Sequence, residues 1–188
     1  MVSLDGFFEG PNHEIDWHNV NAEFNEFAIE QTQGAGVLLF GRKTYELMAG
    51  YWPSESAKKN DPVVAELMNR ALKVVFSKTL KDAEWNNTRL ATTSAVEEVK
   101  KLKREPGRDL AIYGSNQLSV SLVQAGLIDE FRIMVNPVIL DGGNLLFKGI
   151  KDRLNLKLLR TRTFKSGNVL LCYQPIKKES QDESDVSA

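Results

Sequence analysis

The sequence predicts an α/β domain with a mainly parallel sheet, flanked by helices and extended by an antiparallel C-terminal hairpin. Three observations predict it. Continuous apolar runs recur at Val37–Phe40, Leu72–Phe76 and Leu110–Tyr113, the pattern of strands covered on both faces. Segments with helical apolar spacing separate them, and strand–helix alternation is the mark of a parallel sheet. Towards the C-terminus two β-rich runs flank a turn, without a helix between them.

Taken in order, Phe24, Phe27 and Ala28 mark a first helix over about Asn21 to Gln33. The run Val37–Phe40 sits between Gly36 and Gly41 and feeds a helix through Tyr45, Leu47 and Met48. Val64, Leu67, Met68 and Ala71 mark the next helix, which leads into the strand Leu72–Phe76. Val96, Val99 and Leu102 follow, with Ser94 and Glu97 spaced as a capping box. After Leu110–Tyr113, the apolar set Leu118, Val120, Leu122 and Val123 predicts a helix closed by Gly126. Phe131–Val135 is β-rich. Asp141-Gly142-Gly143-Asn144 reads as a tight turn between Val138–Leu140 and Leu145–Phe147. Leu156–Phe164 and Val169–Tyr173 form the hairpin around Lys165-Ser166-Gly167-Asn168. Residues 1–176 thus read as one domain. The stretch Lys177–Ala188, polar and rich in acids, is expected to be a disordered tail.

Composition excludes several classes. With 188 residues the chain is one domain by length, two at most. It carries 24 basic and 25 acidic residues, so the broad positive field of a nucleic-acid binder is missing. Any positive site must be local. The single cysteine, Cys172, forbids an intrachain disulfide and fits a reducing cytoplasm. One cysteine and two histidines exclude a Cys-rich zinc module, and no metal site is predicted. No apolar run is long enough to span a membrane, and Met1–Asp5 lacks the features of a signal peptide. His13 and His18 are expected to be solvated in a polar loop, and Trp17, Trp52 and Trp85 to lie in the core or its rim.

The string from Gly36 to Thr44 nearly matches a nucleoside-triphosphate loop, but the residues between its glycines form a buried strand instead of a loop of phosphate-facing amides. A different anion site has sounder physics. Gly41-Arg42-Lys43-Thr44 ends a strand and opens a helix, whose free amides and partial positive charge attract anions. Arg42 and Lys43 add cations, and Thr44 a hydroxyl. Ser77-Lys78 ends the next strand, and Gly114-Ser115-Asn116 ends a third and leads into a helix. One such end, alone, is equally a solvated turn. Three suggest a dinucleotide lying across the sheet edge, with cations to spare for the extra phosphate of NADP.

At these residues the sequence resembles the dihydrofolate reductase superfamily, in particular the riboflavin-biosynthesis reductase branch (RibD C-terminal domains and stand-alone bacterial relatives). The matching pieces are Ser3-Leu4-Asp5-Gly6, Leu39-Phe40-Gly41-Arg42-Lys43-Thr44-Tyr45, Val75-Phe76-Ser77-Lys78, Ile112-Tyr113-Gly114-Ser115, Gly126-Leu127-Ile128-Asp129-Glu130-Phe131 and Pro137 to Gly143. They follow the family's order. The family's Gly-Gly turn has Ser115 as its second residue here, and its first strand usually begins several residues upstream of Ser3. The resemblance implies an NADPH site, with Arg42, Ser77 and Lys78 at the adenosine ribose and its 2′-phosphate. Thr44, Gly114, Ser115 and Asn116 would then hold the pyrophosphate, beside Gly41 and Lys43. It implies hydride transfer to a small pterin- or pyrimidine-like heterocycle, as in dihydrofolate or 5-amino-6-(5-phosphoribosylamino)uracil reductases. Asp5 and Glu23 are the carboxylates placed for that substrate. Glu23, in the first turn of the helix that presents Phe24 and Phe27, is the favoured proton source. It also implies a homodimer paired through the C-terminal strands. The alternative is a family member that binds a nucleotide without catalysis.

Overall fold

The computed structural model describes residues 1–176, and the tail expected over 177–188 lies outside the described residues. In chain order the elements are β1 (Phe7–Glu9), α1 (Ala22–Gly34), β2 (Ala35–Gly41), α2 (Arg42–Tyr51), α3 (Glu55–Asn60), α4 (Pro62–Arg70), β3 (Leu72–Phe76), β4 (Thr88–Leu90), α5 (Ala95–Leu102), β5 (Asp109–Ile112), α6 (Asn116–Gln124), β6 (Phe131–Val135), β7 (Asn144–Leu145), β8 (Leu156–Thr163) and β9 (Val169–Pro175).

Local chemistry sets the boundaries. Asn21 caps α1 by accepting the Phe24 amide at 2.9 Å. α4 starts at Pro62, before its first apolar marker, because proline suits a first helical turn. The capping box of α5 is present, with Ser94 and Glu97 exchanging 3.2 Å bonds. Gly126, at φ 66°, closes α6 as expected, and the Gly126 and Leu127 amides return to the Val123 and Leu122 carbonyls. The short helix α3 has no apolar periodicity to announce it; the Ser54 cap starts it.

β4, β3, β2 and β5 form a parallel sheet in that order. Successive residues of β2 feed opposite sides. Leu38 and Phe40 join Tyr45, Val64, Met68, Val75 and Trp85 on one side. Leu39 joins Val74, Val99, Leu118 and Leu122 on the other. The hairpin β8–β9 is as expected, but β6 pairs with β9, giving a separate antiparallel sheet in the order β6-β9-β8. The hairpin therefore does not extend the parallel sheet directly. Among the described residues, only an isolated parallel bridge from Val2 to Val135 continues beyond β6. Met134, Phe164, Leu170 and Cys172 pack with Met1, Phe24 and Phe27 beneath α1.

One buried cation is structural. Lys73 is 1% exposed, and its ammonium donates to the carbonyls of Asn69, Ala71 and Asn86 while lying 4.4 Å from the Trp85 ring. Burial lowers its pKa to about 8, and it stays charged near neutrality. Among the described residues, no helix is long and apolar enough to cross a membrane.

Candidate functional site

Parallel pairing brings the carboxyl ends of β2, β3 and β5 to one edge, with Gly41 opposite Phe76 and Leu39 opposite Ile112. Two helices start there. α2 has Gly41 as its N-cap and α6 has Ser115, and neither start has a side-chain cap or an acid in its first turn. Their first amides are left for an external acceptor, and both partial positive charges converge on one place.

The two ends touch. A Cβ placed on Gly41 would fall 1.9 Å from the Ser115 Oγ, and one on Gly114 would fall 3.0 Å from the Thr44 Cγ2. Gly114 and Ser115 have φ values of 68° and 71°. At Ser115 that left-handed backbone costs roughly 1 kcal/mol or more. Glycine at 41 and 114 permits the close approach, so Gly41, Thr44, Gly114 and Ser115 form a single cradle. The sequence reading brought these four together, and the structure does the same.

The cations stand at its rim. Arg42, Lys43 and Lys78 are exposed. The Arg42 guanidinium donates to both oxygens of Glu46 at 2.9 Å, so a phosphate must compete with that carboxylate. The Ser77 Oγ accepts the Thr79 and Leu80 amides at 3.1 and 2.9 Å, which leaves its hydroxyl hydrogen as a donor. Asn116 is different: its side-chain amide donates to the carbonyls of Leu145 and Leu146 at 2.9 and 2.7 Å. That side chain ties α6 to β7, and only the Asn116 backbone amide is placed for an anion. The paired helix starts, the glycine approach and three surface cations fit the phosphates of a dinucleotide such as NADPH.

Both carboxylates that the resemblance placed at the substrate accept backbone amides. Asp5 accepts the Leu140 amide at 3.2 Å and the Asp141 amide at 2.9 Å. The Ser3 hydroxyl, then these amides, hold its carboxyl below the usual range. Asp5 is thus an ionised anchor for the segment after β6 and a poor proton donor. Glu23 is half-buried, and its Oε2 accepts the Lys165 amide at 2.8 Å, tying α1 to the β8–β9 turn. Phe24 and Phe27 do face inward, with Phe27 edge-on to Phe164 at 5.8 Å.

Three asparagines at this end escaped the sequence reading. The Asn19 amide donates to the Asn136 Oδ1 at 2.9 Å, its side chain to the Asn168 Oδ1 at 3.2 Å, and Asn168 returns a bond to the Asn19 carbonyl at 3.1 Å. Asn136 and Asn168 are fully buried, so the network fastens the loop before α1 to the ends of β6 and β9. Nothing in the spacing links these positions, although a polar residue closing an apolar strand was a visible signal. His18 corrects the expectation of a solvated histidine. It is half-buried and edge-on to Trp17 at 4.4 Å. Burial, aided by the nearby Met1 ammonium, pushes its pKa down to about 4, so the ring is neutral. His13 is exposed and bonded to Glu9 at 2.8 Å.

An open cleft of about 550 Å³ lies at the opposite end, lined by Thr32, Gly36, Arg70, Leu72 and Arg108 among others. There α1 and α4 present their C-termini, whose partial charge is negative. The cradle at the carboxyl ends is the better anion site.

The profile of the RibD C-terminal domain family matches residues 1–170. The chain is 37% identical over 174 residues to YyaP, an uncharacterised protein of Bacillus subtilis strain 168, covering 92% of this chain and 90% of that one. A chain from Shewanella sp. PV-4, named for riboflavin biosynthesis, superposes with a TM-score of 0.71 at 20% identity over 94% of this chain and 96% of its own. Dihydrofolate reductase from Enterococcus faecalis, solved with NADP(H), superposes with a TM-score of 0.62 at 14% identity over 94% and 93%. The shared fold is that of dihydrofolate reductase.

Proposed function

The chain belongs to the RibD C-terminal domain family, and from that membership we propose that it is an NADPH-dependent reductase acting on a small pterin- or pyrimidine-like heterocycle. The observation that carries this reading is the pair of uncapped starts of α2 and α6, held in contact through Gly41 and Ser115. Their amides, with the Thr44 hydroxyl, hold the pyrophosphate. Arg42, Ser77 and Lys78 hold the adenosine ribose and its 2′-phosphate, and Lys43 adds long-range attraction. NADPH supplies the hydride when bound. The chain orients it and offers the substrate a place beside α1, where Glu23 supplies or relays a proton through its carboxylate. Asp5 keeps the Leu140–Asp141 segment in place at that side. The single buried cysteine fits a reducing compartment, and we take the cytoplasm as its location.

A second reading, a nucleotide-binding member without turnover, draws on one observation: both candidate carboxylates already accept backbone amides. Titration with NADPH, followed by its consumption against a panel of dihydropterins and aminopyrimidines, decides between them. Binding with consumption supports the reductase. Binding without consumption across the panel favours the second reading, and absence of binding contradicts both.

A further inference from the structure

The edge that carries the cradle has two halves of opposite charge. Arg132, near the start of β6, reaches Asp109 at the start of β5 across 3.9 Å. At the other end Asn116, just past β5, bonds the Leu145 and Leu146 carbonyls, and the Leu146 amide bonds the Gly6 carbonyl at 3.3 Å. Beside the cradle therefore stands a wall built from two segments far apart in the chain, residues 1–26 and 136–147. Bonds stitch them together: the Leu4 amide to the Val138 carbonyl at 2.8 Å, Asp5 to the Asp141 amide at 2.9 Å, and the Asn144 side chain to Glu9 at 2.7 Å.

This wall is acidic. Asp5, Glu9, Glu14, Asp16, Glu23, Glu26 and Asp141 lie on the two segments, and no Lys or Arg does. The first such base in the chain is Arg42, which belongs to the cradle. Lys148 follows the wall directly, and Lys165 gives its amide to Glu23, so seven acids stand against two bases at the margin. His18 is neutral, and His13 is bonded to Glu9. The helix starts differ in the same sense. α2 and α6 have neither a side-chain cap nor an acid in the first turn. α1 has both, since Asn21 takes the Phe24 amide and Glu23 follows. An anion is drawn to the first two starts and turned away from the third. The wall also offers apolar surface. Among the described residues, Leu4 and Ile139 are the most exposed large apolar side chains, at 66% and 68%.

We propose, on the reductase reading above, that the substrate carries no anionic tail: the site takes an uncharged or cationic heterocycle and rejects one bearing a phosphate or a carboxylate chain. Apolar surface with a few polar groups suits a flat ring. An anionic tail needs cations, and those of the cradle are engaged by the phosphates of the cofactor. The tail is left beside the acidic wall, and a repulsive element of this kind confers specificity.

Two matched pairs test this on the protein saturated with NADP+, which has no hydride to give. One is 7,8-dihydrobiopterin against dihydrofolate, and the other is 5-amino-6-(ribosylamino)uracil against its 5′-phosphate. By calorimetry the member without the anionic tail is expected to bind about tenfold tighter at low salt, a ratio that falls to about threefold at 0.5 M salt as the charges are screened. Asp16 and Glu26 are exposed and have no side-chain partner among the described residues. The double variant Asp16→Lys, Glu26→Lys is expected to tighten the anionic members by about fivefold and leave the others unchanged. Equal affinities, tighter binding of the anionic members, or a preference indifferent to both salt and charge reversal overturns the proposal. So does failure of all four compounds to bind. NADPH consumption judges the reductase reading separately: an uncharged member that binds and is not reduced defeats that reading and leaves the charge preference of the site standing.

Discussion

Arg42 gives the sharpest test of cofactor choice because the structure names its competitor. Its guanidinium is bidentate to Glu46 at 2.9 Å, both side chains being close to half exposed. A charge-assisted bond to a 2′-phosphate is worth roughly 1.5–3 kcal/mol. Releasing Glu46 returns about 0.3–0.5 kcal/mol, the usual worth of an exposed pair one helical turn apart. The net is about 1–2.5 kcal/mol, so Arg42→Ala should weaken NADPH roughly 5- to 70-fold. NADH, without the phosphate, should change little. Glu46→Ala removes the competitor and should tighten NADPH by about twofold. Calorimetric titrations of both cofactors into the three proteins give the comparison at one salt concentration. Equal losses for NADPH and NADH in Arg42→Ala, or weaker NADPH binding in Glu46→Ala, would refute the assignment.

Glu23→Gln keeps an oxygen to accept the Lys165 amide, so stability and NADPH affinity should hold while turnover falls by about a hundredfold or more; unchanged turnover makes Glu23 a tie between α1 and the hairpin turn and nothing more. His18 titrates near 4 in the fold against 6.5 in the unfolded chain. Its contribution to stability is complete above pH 6.5 and declines as the pH falls towards 4, by up to about 3 kcal/mol before solvent screening. Urea unfolding of His18→Gln should show a flatter acid limb, and an unaltered limb sinks the idea. β8 is the open edge of its sheet and exposes Leu156, Leu158 and Leu159, so a homodimer is expected at micromolar concentration by light scattering, with Leu158→Lys shifting it to monomer. A monomeric mass for the unmodified chain removes that claim.

The parts legible in the sequence are those set by local pattern. The runs Val37–Phe40 and Leu72–Phe76, the Ser94–Glu97 cap and the Gly126 stop all depend on near neighbours. The cradle was legible too, because three strand ends in a parallel sheet must share an edge. What the sequence hid was long-range. β6 pairs with β9 instead of joining the parallel sheet, a pairing between strands far apart in the chain. The resemblance placed Asp5 and Glu23 at the substrate, and amides of Asp141 and Lys165, far along the chain, donate to them. Asn116 was read as a ligand for phosphate, and its side chain is taken by the carbonyls of Leu145 and Leu146. Local spacing cannot report a partner that only the folded chain brings near.

Amide chemical-shift mapping on addition of NADPH tests the central claim most directly. The largest shifts are expected at Gly41 to Thr44, Ser77, Lys78, Gly114 and Ser115, with Arg70 and Arg108 unmoved. Saturating shifts at the Arg70–Arg108 cleft, or none at the ends of β2, β3 and β5 with NADPH at millimolar concentration, would contradict it.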